Sequence, residues 1–555
     1  MKFWIVSAAA LVLVAGCSAS KEANAALEAM NLEAGSSSPL ITYQGKSGSG
    51  DKITLNNVII SEKGGTGGGL KAKSLTFGGM DIAADGKPVV SSITLKGITP
   101  EKPIDGVKLD LDSFTVEGLN EVAGKFVASA FTDAGAGEPP PFEQWEFSKI
   151  SVNGMKLAGD FASMGAGAGA DAGKYNVQLG EFSVSGLKNK IFANTHMDGL
   201  KGDFEVPAEM AGGMPIAGTF DFGTGDIANI QGGLFEQAIK VGMNSAFDPA
   251  AASNAEAEVL ASLSSPIDPG YDNFKWSGMK VDASGLKIDV SKTEQKVTRD
   301  AQGVVTKVST PRTTFGLAAD SAGGALGQQA TMALSMVGYP SSTVEFYGEG
   351  EATFDPGTDT TRSINYNFGL TDSFDIKATG GVQGLKAAYA DILKVFSEFE
   401  TSFTGEAVIP DPDNPDVPIQ PAAPAAPDMS ALGKLLFTDL DITLTDKTLV
   451  TFMLGVGGMF GGGDPETLRT DIVNMLTTSG TDLANSGVDP AVSNELSAAL
   501  AQFVKQPGSL NIKLKPAAPV ALFKEGEKFN KQQLGFSATF TPSPTPPPQP
   551  APKPQ

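Results

Sequence analysis

The sequence has one cysteine and one histidine, Cys17 and His196, in 555 residues. A single thiol excludes intramolecular disulfides, so a chain of this length depends on the burial of apolar side chains for its stability. One histidine excludes His-rich zinc sites, and its sequence context does not recommend it for a serine- or cysteine-based triad. We therefore predict no metal site, no cofactor and no catalytic residue, and we place His196 in a solvated loop or on a strand face.

Basic residues are also scarce, because 41 Lys and Arg stand against 63 Asp and Glu, which gives a net charge of −22. No basic run offsets this charge, so nucleic acid and anionic headgroups repel the chain and a nucleic-acid partner is excluded. Three Trp and seven Tyr provide few aromatic platforms for a glycan-binding cleft. The hydrophobic content of 41% is nevertheless sufficient for a packed core.

The amino terminus has the organisation of a secretory signal, with Lys2, an apolar run over residues 3–14 and two small residues before Cys17. The apolar run is too short for a membrane-spanning helix. The sequence VAGC at 14–17 resembles the lipobox of bacterial lipoproteins. That resemblance implies cleavage before Cys17, a diacylglyceryl group on its sulfur and acylation of the new amino terminus. Several acyl chains on one residue are enough for stable anchoring.

The residue after the cysteine bears on localisation. In the enterobacterial sorting rule an Asp at that position retains a lipoprotein in the inner membrane, whereas this chain has Ser18. The resemblance therefore implies a cell-envelope protein that is lipid-anchored in the outer membrane and faces the periplasm. The alternative is a secretory signal with an incidental cysteine.

Six strand-like segments share the pattern apolar–x–apolar–x–Gly–apolar. Their glycines are Gly79, Gly97, Gly118, Gly154, Gly186 and Gly278. The apolar residues before each glycine alternate as in a strand, and the apolar residue after it has the opposite parity. A strand that changes its buried face at a glycine is bulged or bent there, and glycine permits a positive φ. We predict structural corners in a curved or stacked antiparallel sheet; an ordinary β-sandwich whose strands end at glycine is the alternative.

Composition predicts a mainly β fold with minor α, in which helices pack on the sheet. The predicted segments are a lipoprotein signal peptide over 1–16, a tether over 17–40, a β-repeat region over 41–233, a helical insert followed by a second β-rich region over 234–409, a Pro-rich linker over 410–430, a C-terminal α+β segment over 431–540 and a Pro-rich tail over 541–555. Residues 18–36 are compatible with a short helix or with a flexible tether. Two helices are predicted after Asp464 and Asp489, since each Asp is followed by Pro.

Three later stretches resemble uncharacterised AsmA-like periplasmic envelope repeat proteins: MVGYPSSTVEFYGEGEATFDP (336–356), FTDLDITLTDKTLV (437–450) and SLNIKLKPAAPVAL (509–522). The resemblance implies β-rich repeats and a role in lipid handling, and it transfers no catalytic residue. We expect a non-enzymatic, lipid-anchored envelope protein of a Gram-negative bacterium that is a scaffold or binds a lipid or another hydrophobic ligand. The alternatives are an envelope glycan hydrolase with a carboxylate pair and a surface adhesin or assembly partner. The membrane is the expected partner, through the N-terminal lipid, and the sequence identifies no protein partner.

Overall fold

The computed structural model describes residues 19–32, 41–61, 69–102, 106–132, 140–161, 173–211, 213–231, 263–336, 339, 341–388, 391–392, 429–461, 464–485, 489–522 and 529–544. The chain is mainly β with antiparallel strand pairing and fewer helices, so the predicted fold class is confirmed. The signal peptide, Cys17, most of the predicted Pro-rich linker and most of the Pro-rich tail lie outside the described residues.

The chain divides into two compact units. Unit 1 comprises Met1–Glu236, Tyr271–Lys292 and Gly323–Leu326, and unit 2 comprises Gln237–Gly270, Thr293–Ala322 and Gly327–Gln555. Residues 271–292 belong to unit 1 because their strands pair with those at 216–231. Strand pairing therefore joins segments of unit 1 that are far apart in sequence.

The described strands and helices of unit 1 are numbered in chain order. They are α1 (Lys21–Ala29), β1 (Ile41–Thr42), β2 (Gly45–Ser49), β3 (Lys52–Ile60), β4 (Leu70–Gly78), β5 (Asp81–Ile82), β6 (Pro88–Val89), β7 (Ser92–Pro100), β8 (Val107–Glu117), α2 (Glu121–Ser129), β9 (Phe147–Asp160), β10 (Lys174–Leu187), β11 (Ile191–Asp198), β12 (Lys201–Val206), β13 (Ile216–Asp221), β14 (Gly225–Gln231), β15 (Asn273–Trp276), β16 (Met279–Ala283) and β17 (Leu286–Val290), with a 3₁₀ turn at Phe142–Gln144.

The remaining elements lie in or mostly in unit 2. They are β18 (Thr293–Arg299), β19 (Val305–Ala319), α3 (Ala325–Met336), β20 (Thr343–Asp355), β21 (Thr360–Leu370), β22 (Phe374–Gln383), β23 (Leu436–Asp446), α4 (Leu449–Gly461), α5 (Pro465–Asn485), α6 (Pro490–Lys505), β24 (Gly508–Leu514), α7 (Lys531–Leu534) and β25 (Ser537–Pro542), with a 3₁₀ turn at Met429–Lys434. Strands β18 to β25 pair antiparallel in chain order. The two helices predicted after Asp464 and Asp489 are confirmed as α5 and α6.

The sheet of unit 1 is crossed by two rows of irregular positions, which we call corner rows. The first corner row comprises Lys73, Gly97, Asp112, Gly154, Gly180 and Gly199. The second corner row comprises Gly79, Ser91, Gly118, Ser148, Gly186 and Ala193. Along each strand and its immediate continuation the two rows are six residues apart. Gly79, Ser91, Gly118 and Gly199 lie one residue outside the bounds of β4, β7, β8 and β11. The sequence spacing of the glycines is irregular because the connections between strands differ in length.

Each of these six strands has a glycine with positive φ at the second corner that the chain reaches. Their φ values lie between 59° and 67° at Gly79, Gly97, Gly118, Gly154, Gly186 and Gly199. The predicted corner residue Gly278 also has a positive φ, of 108°. A left-handed backbone conformation lets two consecutive side chains point to the same face, as Asn56 and Asn57 do between the buried Leu55 and Val58. The positive φ at these glycines therefore permits the change of buried face that the sequence pattern predicts.

Strand segments on both sides of the first corner row pack into one core at the amino-terminal end of unit 1. Leu55, Leu75 and Phe77 on one side of the row and Val58 on the other are at most 1% exposed. Helix α1 packs on these strands through Ala23, Ala26, Leu27 and Met30, none of which is exposed. Of the two interpretations of residues 18–36, the structure shows the helix, and this helix is part of the core.

The corner glycines predict a stability effect that depends on backbone conformation. A Cβ at Gly154, where φ is +66°, lies 2.1 Å from Asp112 Oδ2. We expect Gly154→Ala to lower the free energy of unfolding by about 2–4 kcal/mol, because the positive φ and the steric overlap both disfavour alanine. Urea unfolding followed by circular dichroism measures this loss.

Gly225→Ala is the matched control in the same unit. Gly225 does not have a positive φ, and the nearest atoms to an added Cβ are 3.9 Å away. We expect its free energy of unfolding to be unchanged or slightly higher. An equal loss in both variants would show that the corner conformation is not the cause.

Unit 2 contains a buried ion pair between Asp268 and Arg299. The Asp268 side chain is fully buried and accepts hydrogen bonds from both Arg299 Nη1 at 3.1 Å and Arg299 Nη2 at 3.2 Å. It also accepts from the hydroxyl of Ser264 at 2.5 Å and from the amide of Gly270 at 2.9 Å. Burial raises the pKa of the Asp268 carboxyl, but Ser264 and Arg299 outweigh burial, so the pKa lies below 3.8.

This pair predicts both a mutational and a pH effect. We expect Asp268→Asn to lower the free energy of unfolding by about 3 kcal/mol, since a largely buried guanidinium loses its counter-charge. Because the carboxyl pKa is lower in the folded state, the pair stabilises the fold above pH 3.8, and its contribution is lost as the pH falls through the folded pKa. Thermal unfolding between pH 3 and pH 7 measures both effects.

The control is Asp439→Asn, which removes a bidentate but more exposed pair with Arg362, at 2.7 and 2.8 Å. We expect a loss below about 1 kcal/mol there, because solvent screens that pair. Losses of the same size at both positions would contradict a special role for the buried pair.

Candidate functional site

The candidate site is the apolar face of unit 1 from β9 to β17, which we call the inner face. Alternate residues of each strand carry apolar side chains to this face, and the corner rows keep them on the same side along the strand. The inner-face residues are Ile150, Val152, Met155, Leu157, Val177, Leu179, Phe182, Val184, Met197, Leu200, Phe220, Phe222, Ile227, Phe274, Trp276, Met279, Val281 and Ile288.

The burial of this face changes along the sheet. On β3, β4 and β7 most of the corresponding residues are buried in a core that includes α1 and α2. Leu95 on β7 is half-buried, and Leu70, the first residue of β4, is 39% exposed. From β9 onward the inner-face residues are half-buried, and Phe182 on β10 is 39% exposed. The apolar face therefore extends beyond the helices that close its first part.

Aromatic rings on the neighbouring strands lie over glycines of the adjacent strand. An added Cβ would be 2.6 Å from Tyr175 Oη at Gly159 and 2.7 Å from Phe220 Cζ at Gly202. The residues of each pair are directly opposite in register. This arrangement supports the sheet where glycine has no side chain, and it lays the rings along the backbone instead of projecting them from it. The resulting apolar surface has low relief.

The opposite, outer face of the same strands is polar. A depression of about 510 Å³ lies on β12, β13, β16 and β17, and its lining includes Phe220, Val281 and Ile288 beside charged residues. Its side chains include one cross-strand row of alternating charge, formed by Lys201, Asp221, Lys280 and Asp289. Opposite charges on neighbouring strands stabilise pairing, which gives these carboxylates a structural role in the sheet.

His196 lies on the outer face, on β11, directly between Ser183 on β10 and Asp226 on β14. Its Nδ1 is 2.8 Å from Asp226 Oδ1, so three residue types of a hydrolytic triad stand in one row. The Lys149 ammonium, 2.8 Å from the Glu181 carboxylate, holds the pKa of that carboxyl below its ordinary value, and the nearby Ser183 hydroxyl lowers it further. Because Ser183 is buried, the row is better explained as part of a polar network.

The predicted site residues have distinct positions. Each of the six glycines predicted as structural corners has a positive φ. Cys17 lies outside the described residues. The sequence prediction missed Tyr175, Phe182 and Phe220 as residues of a common surface. The sequence shows that apolar residues alternate along each single strand. It does not show that these three residues lie on one surface, because that depends on the register between strands.

Two further observations concern the described residues only. None of the described helices combines the length and the hydrophobicity that crossing a bilayer requires. In the same part of the chain, no group of three or more His, Cys, Asp or Glu side chains is placed to bind a metal ion.

Comparison with known proteins gives one match. A family model described as "Uncharacterized protein" matches residues 368–537, which is less than half of the chain. The match runs from the last three residues of β21 to the first residue of β25, in unit 2. No curated protein and no solved structure matches the chain.

Proposed function

We propose that the chain is a lipid-anchored protein of the Gram-negative cell envelope that binds a hydrophobic ligand, such as a lipid acyl chain, on the inner face of unit 1. The anchor is proposed at Cys17, within the VAGC sequence at 14–17. The protein is proposed to be held in the outer membrane, to face the periplasm and to act by binding, without catalysis.

One observation carries the binding proposal: the inner-face residues are half-buried or exposed from β9 onward, whereas most apolar residues of the same face on β3, β4 and β7 are buried in a core with α1 and α2. Contiguous, partly exposed apolar surface is a typical feature of sites for hydrophobic ligands. A sheet whose apolar surface is completely covered by other parts of the protein has no room for an acyl chain. The inner face is not completely covered, because Phe182 is 39% exposed.

The magnitudes are adequate for binding. Burial of one methylene contributes about 0.8 kcal/mol, so about ten buried methylenes correspond to a micromolar dissociation constant before ordering costs are subtracted. An extended acyl chain lying across several strands reaches that number. The aromatic–glycine pairs give the inner face low relief. An extended acyl chain can contact such a surface along its whole length, because few side chains project from it.

The ligand proposal predicts an effect of charge on the inner face. Phe182→Glu places a carboxylate on the inner face of β10, and Gln178→Glu places the same charge on the outer face of that strand. We expect the first variant to lose most of the lipid that co-purifies with the wild type, because an ionised carboxylate resists desolvation. We expect the second variant to retain it.

Mass spectrometry of organic extracts from the purified, membrane-extracted proteins measures bound lipid, and binding of pyrene-labelled phosphatidylethanolamine confirms it in solution. Circular dichroism checks that both variants are folded. Equal lipid content in the two variants, or wild type free of lipid and unable to bind the probe, would overturn the binding proposal.

The anchor has its own test. We expect wild type expressed in a Gram-negative host to incorporate radiolabelled palmitate and to fractionate with the outer membrane. We expect Cys17→Ala to incorporate none, since it lacks the sulfur that the diacylglyceryl group requires. Wild type that remains unlabelled would refute the anchor and leave the ligand proposal standing.

A further inference from the structure

We propose that the amino-terminal edge of unit 1 lies directly against the membrane, with no flexible tether between the lipid and the folded body. This inference rests on the proposed anchor at Cys17. The surface, which we call the anchor face, comprises Ala19, Ser20, the first turn of α1 and the turn between β2 and β3 at residues 49–52.

The chain is fixed in the fold from Ala19 onward. Ala19 forms a parallel bridge with Gly50, and the amide of Ser20 donates to the Gly50 carbonyl at 2.6 Å. The hydroxyl of Ser20 then caps α1 by accepting from the amide of Ala23 at 3.0 Å. A Cβ added at Gly48 would be 2.7 Å from the Ala19 Cβ, so the two backbones approach closely.

Helix α1 cannot detach without cost. Ala23, Ala26, Leu27 and Met30 have no exposed surface and pack in the core of unit 1. Release of this helix would expose all four side chains to water, which is unfavourable for apolar groups. The helix therefore belongs to the body and does not lengthen the connection to the anchor.

Covalent geometry then sets the separation. Ser18 is the one residue between Cys17 and Ala19, so their Cα atoms are at most about 7 Å apart. The headgroup region on each side of a bilayer is about 5–8 Å thick. A lipid on Cys17 consequently holds Ala19, and the turn bridged to it, at the level of the headgroups.

The charge of the anchor face is compatible with this location. Its exposed ionisable residues are Lys21, Glu22, Asp51 and Lys52. Positive and negative charges thus balance on this face, although the whole chain has a net charge of −22. Anionic headgroups that repel the rest of the protein are not repelled by this face.

The same geometry places the open inner face away from the anchor. Neighbouring strands are about 4.8 Å apart, and β10 is five strands from β3, a distance of about 24 Å along the sheet. The part of the sheet next to the anchor face is the part that α1 and α2 close. A ligand on the inner face therefore does not enter at the anchor.

The test places a fluorophore at two positions of the full, lipidated protein. Because lipidation consumes the sulfur of Cys17, a new cysteine is the one free thiol. Ser49→Cys lies in the anchor face, and Glu209→Cys is an exposed control in the turn between β12 and β13, six strands from β3. Each is labelled with an NBD maleimide and reconstituted in phosphatidylethanolamine–phosphatidylglycerol vesicles that contain a headgroup-nitroxide lipid.

We expect the nitroxide lipid to quench the label at Ser49 several-fold more than the label at Glu209. Insertion of a twenty-residue Gly/Ser linker between Ser18 and Ala19 should abolish that difference while the protein still floats with the vesicles. Flotation with equal quenching at the two positions overturns the anchor face and leaves the anchor intact. Absence of flotation overturns the anchor itself, and the anchor face with it.

Discussion

The structure of unit 1 depends on one backbone constraint, the left-handed conformation at the second corner of each strand. Two side chains must point outward in succession for the strand to bend and keep its apolar residues on the inside. Glycine adopts the positive φ that this requires without steric cost, whereas other L-residues do not. The repetition of this conformation from Gly79 to Gly199 across six strands turns a local preference into a property of the whole sheet.

The register of the sheet converts that constraint into two surfaces with different chemistry. Because the corner rows stay six residues apart, apolar residues from distant parts of the sequence meet on the inner face, and charged residues meet on the outer face. The outer residues pair with opposite charges across strands, as Lys149 and Glu181 do. Inner-face residues such as Ile150 and Val184 pack at the margin of the core, and Phe182 is 39% exposed, so this face is where we propose that a hydrophobic ligand binds.

The helices decide how much of the inner face is available. Helix α1 starts two residues after Ala19 and is capped by Ser20, so it covers the strands nearest the amino terminus. A lipid attached at Cys17 is therefore next to the closed part of the sheet. Binding and anchoring are in this way assigned to different regions of one unit, and the distance between them is set by the number of strands.

The sequence by itself determined the strand patterns, the corner glycines and the caps of α5 and α6, because each depends on neighbouring residues: alternation, positive φ and an Asp before Pro. It also determined that no disulfide holds the fold, since there is one cysteine. Only the tertiary structure decided that Gly97 and Gly154 lie in one row, that residues 271–292 join unit 1 and that Phe182 stays exposed. These facts depend on register and on which helix covers which strand, and both arise from contacts between residues that are distant in sequence.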